Sequence, residues 1–350
     1  MTERNPFGGI GKVVFGDQFI GRKNELQTLR SRLLTENPAN CAVVGIPRVG
    51  KSSLVYEALM GHRGQEEAGE SVITVWLDVP GAGPAELPRR LLRVVDEKLD
   101  ARLRRQGAAA AAKAERSDRW ADLHAAVESF FAAISRNGHR VVVVLDEFDT
   151  ASRFAGHEGV FALLKDLSTM PSLGLSLVTT SCWPLGEIVE KARVDAVGFV
   201  GAFRSLRLLP FSEPDMTEFY SILARYEINL DQPSREAIAR LCGAHPFLLA
   251  SIGFQLVQGQ LDRTPAGLEA ALAAASSSVT EYYESDLWRW LQADNLHEQL
   301  LKLVCGASRQ DPDDPQGKRF SAYGLVKHDG QRWVPFSQHL HEHLKALTAE

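Results

Sequence analysis

Leu26, Leu29 and Leu33 recur at steps of three and four residues, and this spacing predicts an amphipathic helix over 21–34 that stops before Asn37-Pro38. Residues 1–18 are Gly-rich and aperiodic, and read as an extended lead-in. The run CAVV predicts a short buried strand over 41–44, followed by a Gly-containing loop. Leu54, Val55, Ala58 and Leu59 then share one face of a helix over 51–60. SVITVWLD is rich in β-branched residues and predicts a second strand over 71–78. A charged amphipathic helix is predicted over 86–105, then an Ala-rich stretch over 107–114, either helix or tolerant insertion, and a helix over 120–134. Four consecutive valines before Leu145 predict a third strand over 141–146, with no alternation, as in a parallel strand covered on both faces. Further strands are predicted over 173–179 and 206–209. Strands alternating with helices imply right-handed βαβ units in a parallel sheet.

Past Pro210 the pattern changes. Residues 213–280 carry helical periodicity without a convincing strand, and 281–350 hold two helical stretches, a hairpin turning at Asp329-Gly330 and a last helix. The expected organisation is an α/β core over 1–212, a helical region over 213–280, and a small winged-helix-like module over 281–350.

The 350 residues are 45% apolar and 24% charged, enough apolar surface to exclude whole-chain disorder. The formal charge of −5 argues against a general nucleic-acid coat. Cys41, Cys182, Cys242 and Cys305 form no CxxC pair, so zinc ribbons and thioredoxin-like sites are excluded. They read as reduced core residues of a cytoplasmic protein. The N-terminus lacks the apolar stretch of a secretion signal, and no run approaches the ~20 apolar residues of a membrane helix.

Two segments carry chemistry. Gly45-Ile-Pro-Arg-Val-Gly50-Lys51-Ser52 fits G-x-x-x-x-G-K-[ST] between a predicted strand and a predicted helix, the context that this phosphate-binding loop requires. Its backbone from Gly45 through Pro47, Arg48, Val49 and Gly50 into Ser53 would turn N–H groups onto phosphate oxygens at a helix N-terminus. Lys51 would meet the β- and γ-phosphates, and Ser52 supplies a hard oxygen for Mg²⁺. The valine strand runs into Asp146-Glu147. Asp146 would complete the metal site, and Glu147 would orient and polarise the attacking water. Asp149 reads as a surface or capping carboxylate.

With Phe19-Ile20-Gly21-Arg22-Lys23-Asn24-Glu25-Leu26, the phosphate loop, LDEFD, and Gly243-Ala244-His245-Pro246, the chain resembles the STAND-type signalling ATPases, and most closely the archaeal-type ATPases within the AAA-like P-loop group. Order and spacing match over about residues 15–255. Lys23 departs from the family's usual Glu. The resemblance implies a sheet of order 5-1-4-3-2, with ATP and Mg²⁺ bound. It places Gly21 and Arg22 against the adenine, and His245 and Pro246 in a lid motif approaching the nucleotide. It implies a polar sensor near the fourth strand's end; Thr179, Thr180 and Ser181 all stand open for it, and Thr180 is carried forward as the candidate. It also implies a role for Arg204, just before the fifth strand, as an arginine reaching a neighbour's γ-phosphate.

The function implied is a Mg²⁺-dependent ATPase switch that controls a partner protein through lid closure and ATP-dependent homo-oligomerisation, in a setting such as bacterial defence or signalling. The family's usual repeat sensors and fused effectors are not seen, so the expectation is that the sensor or effector is a separate protein, or that the ATPase core itself does the recognising. The rival is a DNA-engaged loader, initiator or transposition accessory using the winged helix. Residues 281–350 hold eight Lys/Arg against eleven Asp/Glu, a net −3, which disfavours DNA, although Lys318, Arg319, Lys327 and Arg332 leave room for a local basic edge. Residues 86–105 hold seven Lys/Arg against four Asp/Glu and read as a solvated face. His339, His341 and His343 do not share a helical face and are expected in solvent.

Overall fold

Asn40–Val44 (β1), Val72–Asp78 (β2), Arg140–Asp146 (β3), Leu175–Ser181 (β4) and Phe203–Arg207 (β5) form one sheet of order β2-β3-β4-β1-β5, with every neighbouring pair parallel. This is the expected order and a P-loop NTPase-like fold. The computed structural model describes residues 5–258, 265–306 and 310–347; the first four residues of the lead-in lie outside these. Within the sheet, β1 and β4 have a strand on either side and are buried along their whole length. The edge strands β2 and β5 are partly open.

The chain divides into two compact units. One comprises residues 23–44 and 51–207 and contains the whole sheet. Its helices are Lys23–Leu33 (α1), Lys51–Leu59 (α2), His62–Ala68 (α3), Glu86–Lys98 (α4), Ala101–Arg116 (α5), Trp120–Ser135 (α6), Glu158–Thr169 (α7), Leu185–Lys191 (α8) and Val197–Gly201 (α9). The helix expected over 86–105 is two. The Asp100 carboxylate accepts the N–H of Arg102 and of Leu103, both at 2.8 Å, and so caps a fresh helix. The Ala-rich stretch continues α5, where a Cβ at Gly107 would meet the Phe130 ring at 2.7 Å. β4 begins two residues later than expected because Pro171–Leu173 form a 3₁₀ turn closed by Gly174 at φ 59°. β5 begins three residues earlier, since its register follows β1 from Asn40↔Phe203 to Val44↔Arg207 and not its own apolar content.

The other unit comprises residues 1–22, 45–50 and 208–350. Its helices are Glu213–Arg225 (α10), Gln232–Cys242 (α11), Pro246–Gln258 (α12), Pro265–Glu281 (α13), Trp288–Gln292 (α14), Leu296–Cys305 (α15), Pro315–Ala322 (α16) and Gln338–Leu347 (α17). A π-helical turn, Tyr282–Leu287, joins α13 to α14. Val326–His328 (β6) and Trp333–Pro335 (β7) form the expected hairpin. Asp329 takes the N–H groups of Gln331 and Arg332 inside its turn.

Two expectations change here. The lead-in is not simply extended: residues 6–11 turn, and Phe7 is buried edge-on against Phe219 at 5.5 Å. His339, His341 and His343 are half-buried rather than solvated. The rings of His339 and His343 lie 5.8 and 5.6 Å from that of Tyr283. Loss of solvent lowers the pKa of His339 and of His341.

Candidate functional site

The sheet unit gathers its polar residues at the carboxyl ends of its strands, where open parallel sheets bind ligands. Asp146 closes β3 and is 7% exposed. Its Oδ1 accepts the Ser52 hydroxyl from the start of α2 at 3.0 Å, and also the Thr180 hydroxyl from β4. The parallel register pairs Leu145 with Thr179, which leaves Thr180 one residue on to face Asp146. Of the three sensor candidates only Thr180 makes this contact. The Ser181 hydroxyl donates to Trp183 O at 2.6 Å, and the Thr179 hydroxyl is buried with no partner.

Glu147 follows with a left-handed backbone, φ 54° and ψ 45°. Its N–H donates to Asp146 Oδ1 and to Thr180 Oγ1, each at 3.2 Å. The residue is exposed. Desolvation around its carboxyl raises its pKa; the negative charges of Asp146, Asp78 and Asp149 add to the rise, and Lys51 opposes it. Lys51 Nζ donates to Cys182 Sγ at 3.4 Å. Burial pushes the Cys182 thiol up to about 11, so it sits beside the lysine as a neutral group.

Asp149, expected as a surface or capping carboxylate, caps backbone N–H groups at the exit of β4. Both carboxylate oxygens accept the Cys182 N–H, and Oδ1 also takes the Trp183 N–H at 3.0 Å. It thereby fastens the exit of β4 to the turn after β3. Desolvation raises its pKa, while those two N–H groups and Lys51 pull it down. Asp78 and Cys182 are not among the site residues expected from the sequence, and Asp149 is expected only as a surface or capping carboxylate. The Asp149 position in LDEFD was the one available signal.

Hard oxygen donors dominate the Ser52–Asp146–Thr180 cluster. Among the described residues no group of three or more His, Cys, Asp or Glu is arranged to hold a metal by itself. The hydroxyl and carboxylate oxygens of Ser52 and Asp146 are donors of the kind Mg²⁺ takes, alongside waters and phosphate oxygens.

In the second unit, Gly45–Gly50 is held by its own surroundings. A Cβ at Gly45 would lie 2.5 Å from Leu208 O, so only glycine fits there. Val49 is buried and its N–H donates to Ile46 O at 3.3 Å. Gly50 has φ 97°. Gly21, at φ 68°, has no room for a side chain, since its Cβ would meet Asp215 Oδ1 at 2.3 Å. The Arg22 N–H donates to the same oxygen at 2.8 Å. The Arg22 guanidinium is buried, lies 4.9 Å from the Phe211 ring centroid and donates to Val49 O at 3.4 Å. Arg22 therefore braces the loop. His245 is fully buried; its Nε2 lies 3.0 Å from the Tyr282 hydroxyl, which donates to Pro47 O at 3.1 Å. Pro246 opens α12. Tyr282 and Asp286, which contact the loop, belong to no sequence motif.

Ser53 is buried in α2. Arg204 is exposed within β5, not ahead of it, and pairs in register with Cys41, three residues before the end of β1. The structure does not bring it to the strand ends.

Residues 18–178 match the family model of the AAA ATPase domain. No curated protein matches the chain. A Walker-type ATPase of Pyrococcus abyssi is similar in structure over 97% of this chain and 99% of its own, with TM-score 0.64 and 14% identity. The ORC2 protein of Aeropyrum pernix, solved as ADPNP–ADP complexes, is similar over 100% of this chain and 99% of its own, with TM-score 0.57 and 14% identity. At these identities the likeness is one of fold. The AAA domain match supports ATP hydrolysis at a general level.

Proposed function

We propose that this chain is a Mg²⁺-dependent ATP-binding and ATP-hydrolysing switch that controls a partner protein. The observation that carries the reading is the convergence of Ser52 and Thr180 on Asp146, with Glu147 and Lys51 alongside. Lys51 supplies a point charge to the β- and γ-phosphates. Ser52 and Asp146 would hold Mg²⁺, which neutralises developing phosphate charge when bound. Glu147 takes the proton of the attacking water, and the rise in its pKa makes it a better acceptor than an ordinary surface glutamate. Thr180 holds Asp146 and the Glu147 backbone in place.

We further propose that 1–212 act as the core, 213–280 as a lid and 281–350 as a winged-helix-like module. In this reading ATP draws Pro246 and the lid inward and favours homo-oligomerisation, and Arg204 serves a neighbouring copy. Hydrolysis then releases the partner. Among the described residues no helix is long and apolar enough to cross a membrane.

The test compares wild type with Lys51→Ala and Glu147→Gln by phosphate release and nucleotide binding. Lys51→Ala is expected to lose both. Glu147→Gln is expected to keep binding while turnover falls by about 10²–10⁴. Unchanged turnover in both variants would sink the assignment.

One feature favours the DNA reading as a second possibility. A cavity of about 470 Å³ beside the hairpin is lined by Arg240, Lys327, Arg332 and His341, with Glu236 the acidic member. Lys318 is engaged elsewhere, paired with Asp313 at 2.6 Å. Fluorescence anisotropy of labelled duplex DNA with the Glu147→Gln protein separates the readings. Salt-sensitive binding only with Mg-ATP makes this a DNA-engaged ATPase, and no binding at moderate salt leaves the protein-partner switch.

A further inference from the structure

We propose that the π-helical turn positions the phosphate loop through Tyr282 and Asp286, and couples it to the C-terminal hairpin region through Tyr283. The inference rests on the nucleotide reading above and names the element that regulates that site. A π turn inserts an extra residue into a helix and re-aims the side chains around it; such turns concentrate at functional sites. Here it turns two adjacent tyrosines, each 1% exposed, toward different neighbours.

Tyr282 reaches the loop. Its one hydroxyl hydrogen goes to Pro47 O at 3.1 Å, so the contact with His245 Nε2 at 3.0 Å must be donated by the histidine. His245 therefore carries its proton on Nε2 and serves to aim the tyrosine. Asp286, one turn on, lies 2.7 Å from Arg48 Nε. The Arg48 guanidinium also covers the Phe247 ring at 4.5 Å from the centroid. The Arg48 backbone is left-handed at φ 55°, a conformation unfavourable for any residue with a Cβ. Two consecutive loop residues, Pro47 and Arg48, are thus held by side chains of a single turn.

Tyr283 reaches the other way. Its hydroxyl is 2.9 Å from Ser337 Oγ, which in turn accepts the Leu340 N–H at 3.1 Å at the start of α17. Ser337 lies two residues past β7. A shift of the hairpin or of α17 moves Tyr283, and with it Tyr282 and Asp286. Coupling of this kind is reciprocal: nucleotide on the loop must bias the C-terminal region by the same factor.

The test measures KM and kcat for ATP, and the Kd of a fluorescent ATP analogue, in the full chain. Tyr282→Phe keeps the ring and removes one hydroxyl; it is expected to raise KM and Kd about 3- to 10-fold, with kcat within about twofold. Asp286→Asn is expected to raise them about 2- to 5-fold, as suits a partly exposed ion pair. Arg48→Asp is expected to weaken nucleotide binding, and adding Asp286→Arg to restore KM to within about threefold of wild type, which assigns the loss to this pair. Tyr283→Phe is expected to raise the nucleotide Kd as well, although it touches no loop residue. Unchanged KM and Kd in Tyr282→Phe and Asp286→Asn, with wild type active and Lys51→Ala inactive, overturns the inference alone. A wild-type protein that binds no nucleotide overturns the reading beneath it and the inference with it.

Discussion

Asp149 accepts the backbone N–H of Cys182 on both carboxylate oxygens, at 3.0 and 2.8 Å. The contact joins the turn after β3 to the exit of β4, just beyond the point where the paired strands present Asp146 and Thr180 to each other. A carboxylate on two consecutive N–H groups is a strong local clamp, because charge-assisted hydrogen bonds are roughly twice as strong as neutral ones.

Removing the clamp should therefore cost both stability and turnover. Asp149→Ala leaves the Cys182 and Trp183 N–H groups without their acceptor, a loss of about 1–3 kcal/mol. Asp149→Asn retains one acceptor oxygen and should lose less. Urea unfolding measures the first effect, and ATP turnover of the folded protein measures the second; equal stability of all three proteins would count against the clamp.

Thr179 and Thr180 should behave in opposite ways. The Thr179 hydroxyl is buried without a partner, so Thr179→Val removes a desolvated polar group and should stabilise the protein by about 1 kcal/mol, with turnover kept. Thr180→Val loses the hydroxyl that reaches Asp146 and supports the Glu147 N–H, and should slow hydrolysis. Thermal melts and turnover on the two proteins decide it.

The pH dependence of kcat/KM should report Glu147. Its pKa is raised, and a general base acts in its deprotonated form, so activity should climb with pH through that raised value. The acid limb should lie above the ~4.3 of an ordinary glutamate. It should disappear from the residual activity of Glu147→Gln; a limb that persists belongs to another group.

Asp215 gives a stability test at the other unit. Desolvation works to raise its pKa, but the Ser212 hydroxyl, the N–H groups of Arg22 and Ser212, and the Arg22 charge outweigh this and lower it. A depressed carboxylate contributes stability that is present above its unfolded pKa of ~3.9 and lost as pH falls through the folded value. Wild type should thus exceed Asp215→Asn in stability at neutral pH, and the gap should close in acid. Urea midpoints at pH 7 and near pH 3 check the sign.

Elements whose signal is local were legible in the chain alone. The phosphate loop, the valine strand ending in Asp146-Glu147, the helical periods and the hairpin are each written in residues adjacent in the chain, where spacing alone fixes which face a side chain occupies. The sequence reached Asp146 with Ser52 because each sits in a motif that names its own role. Tertiary structure decided what depends on register and on contacts distant in sequence. Thr179, Thr180 and Ser181 are equivalent by composition, and only the pairing of Leu145 with Thr179 turns the hydroxyl of Thr180 to Asp146. Arg204 shifted from a strand entrance into an exposed edge because β5 takes its register from β1. Tyr282 meets Pro47 across 235 residues, with no period or motif to announce it. Such partners are chosen by packing of the folded chain, which short-range spacing does not encode.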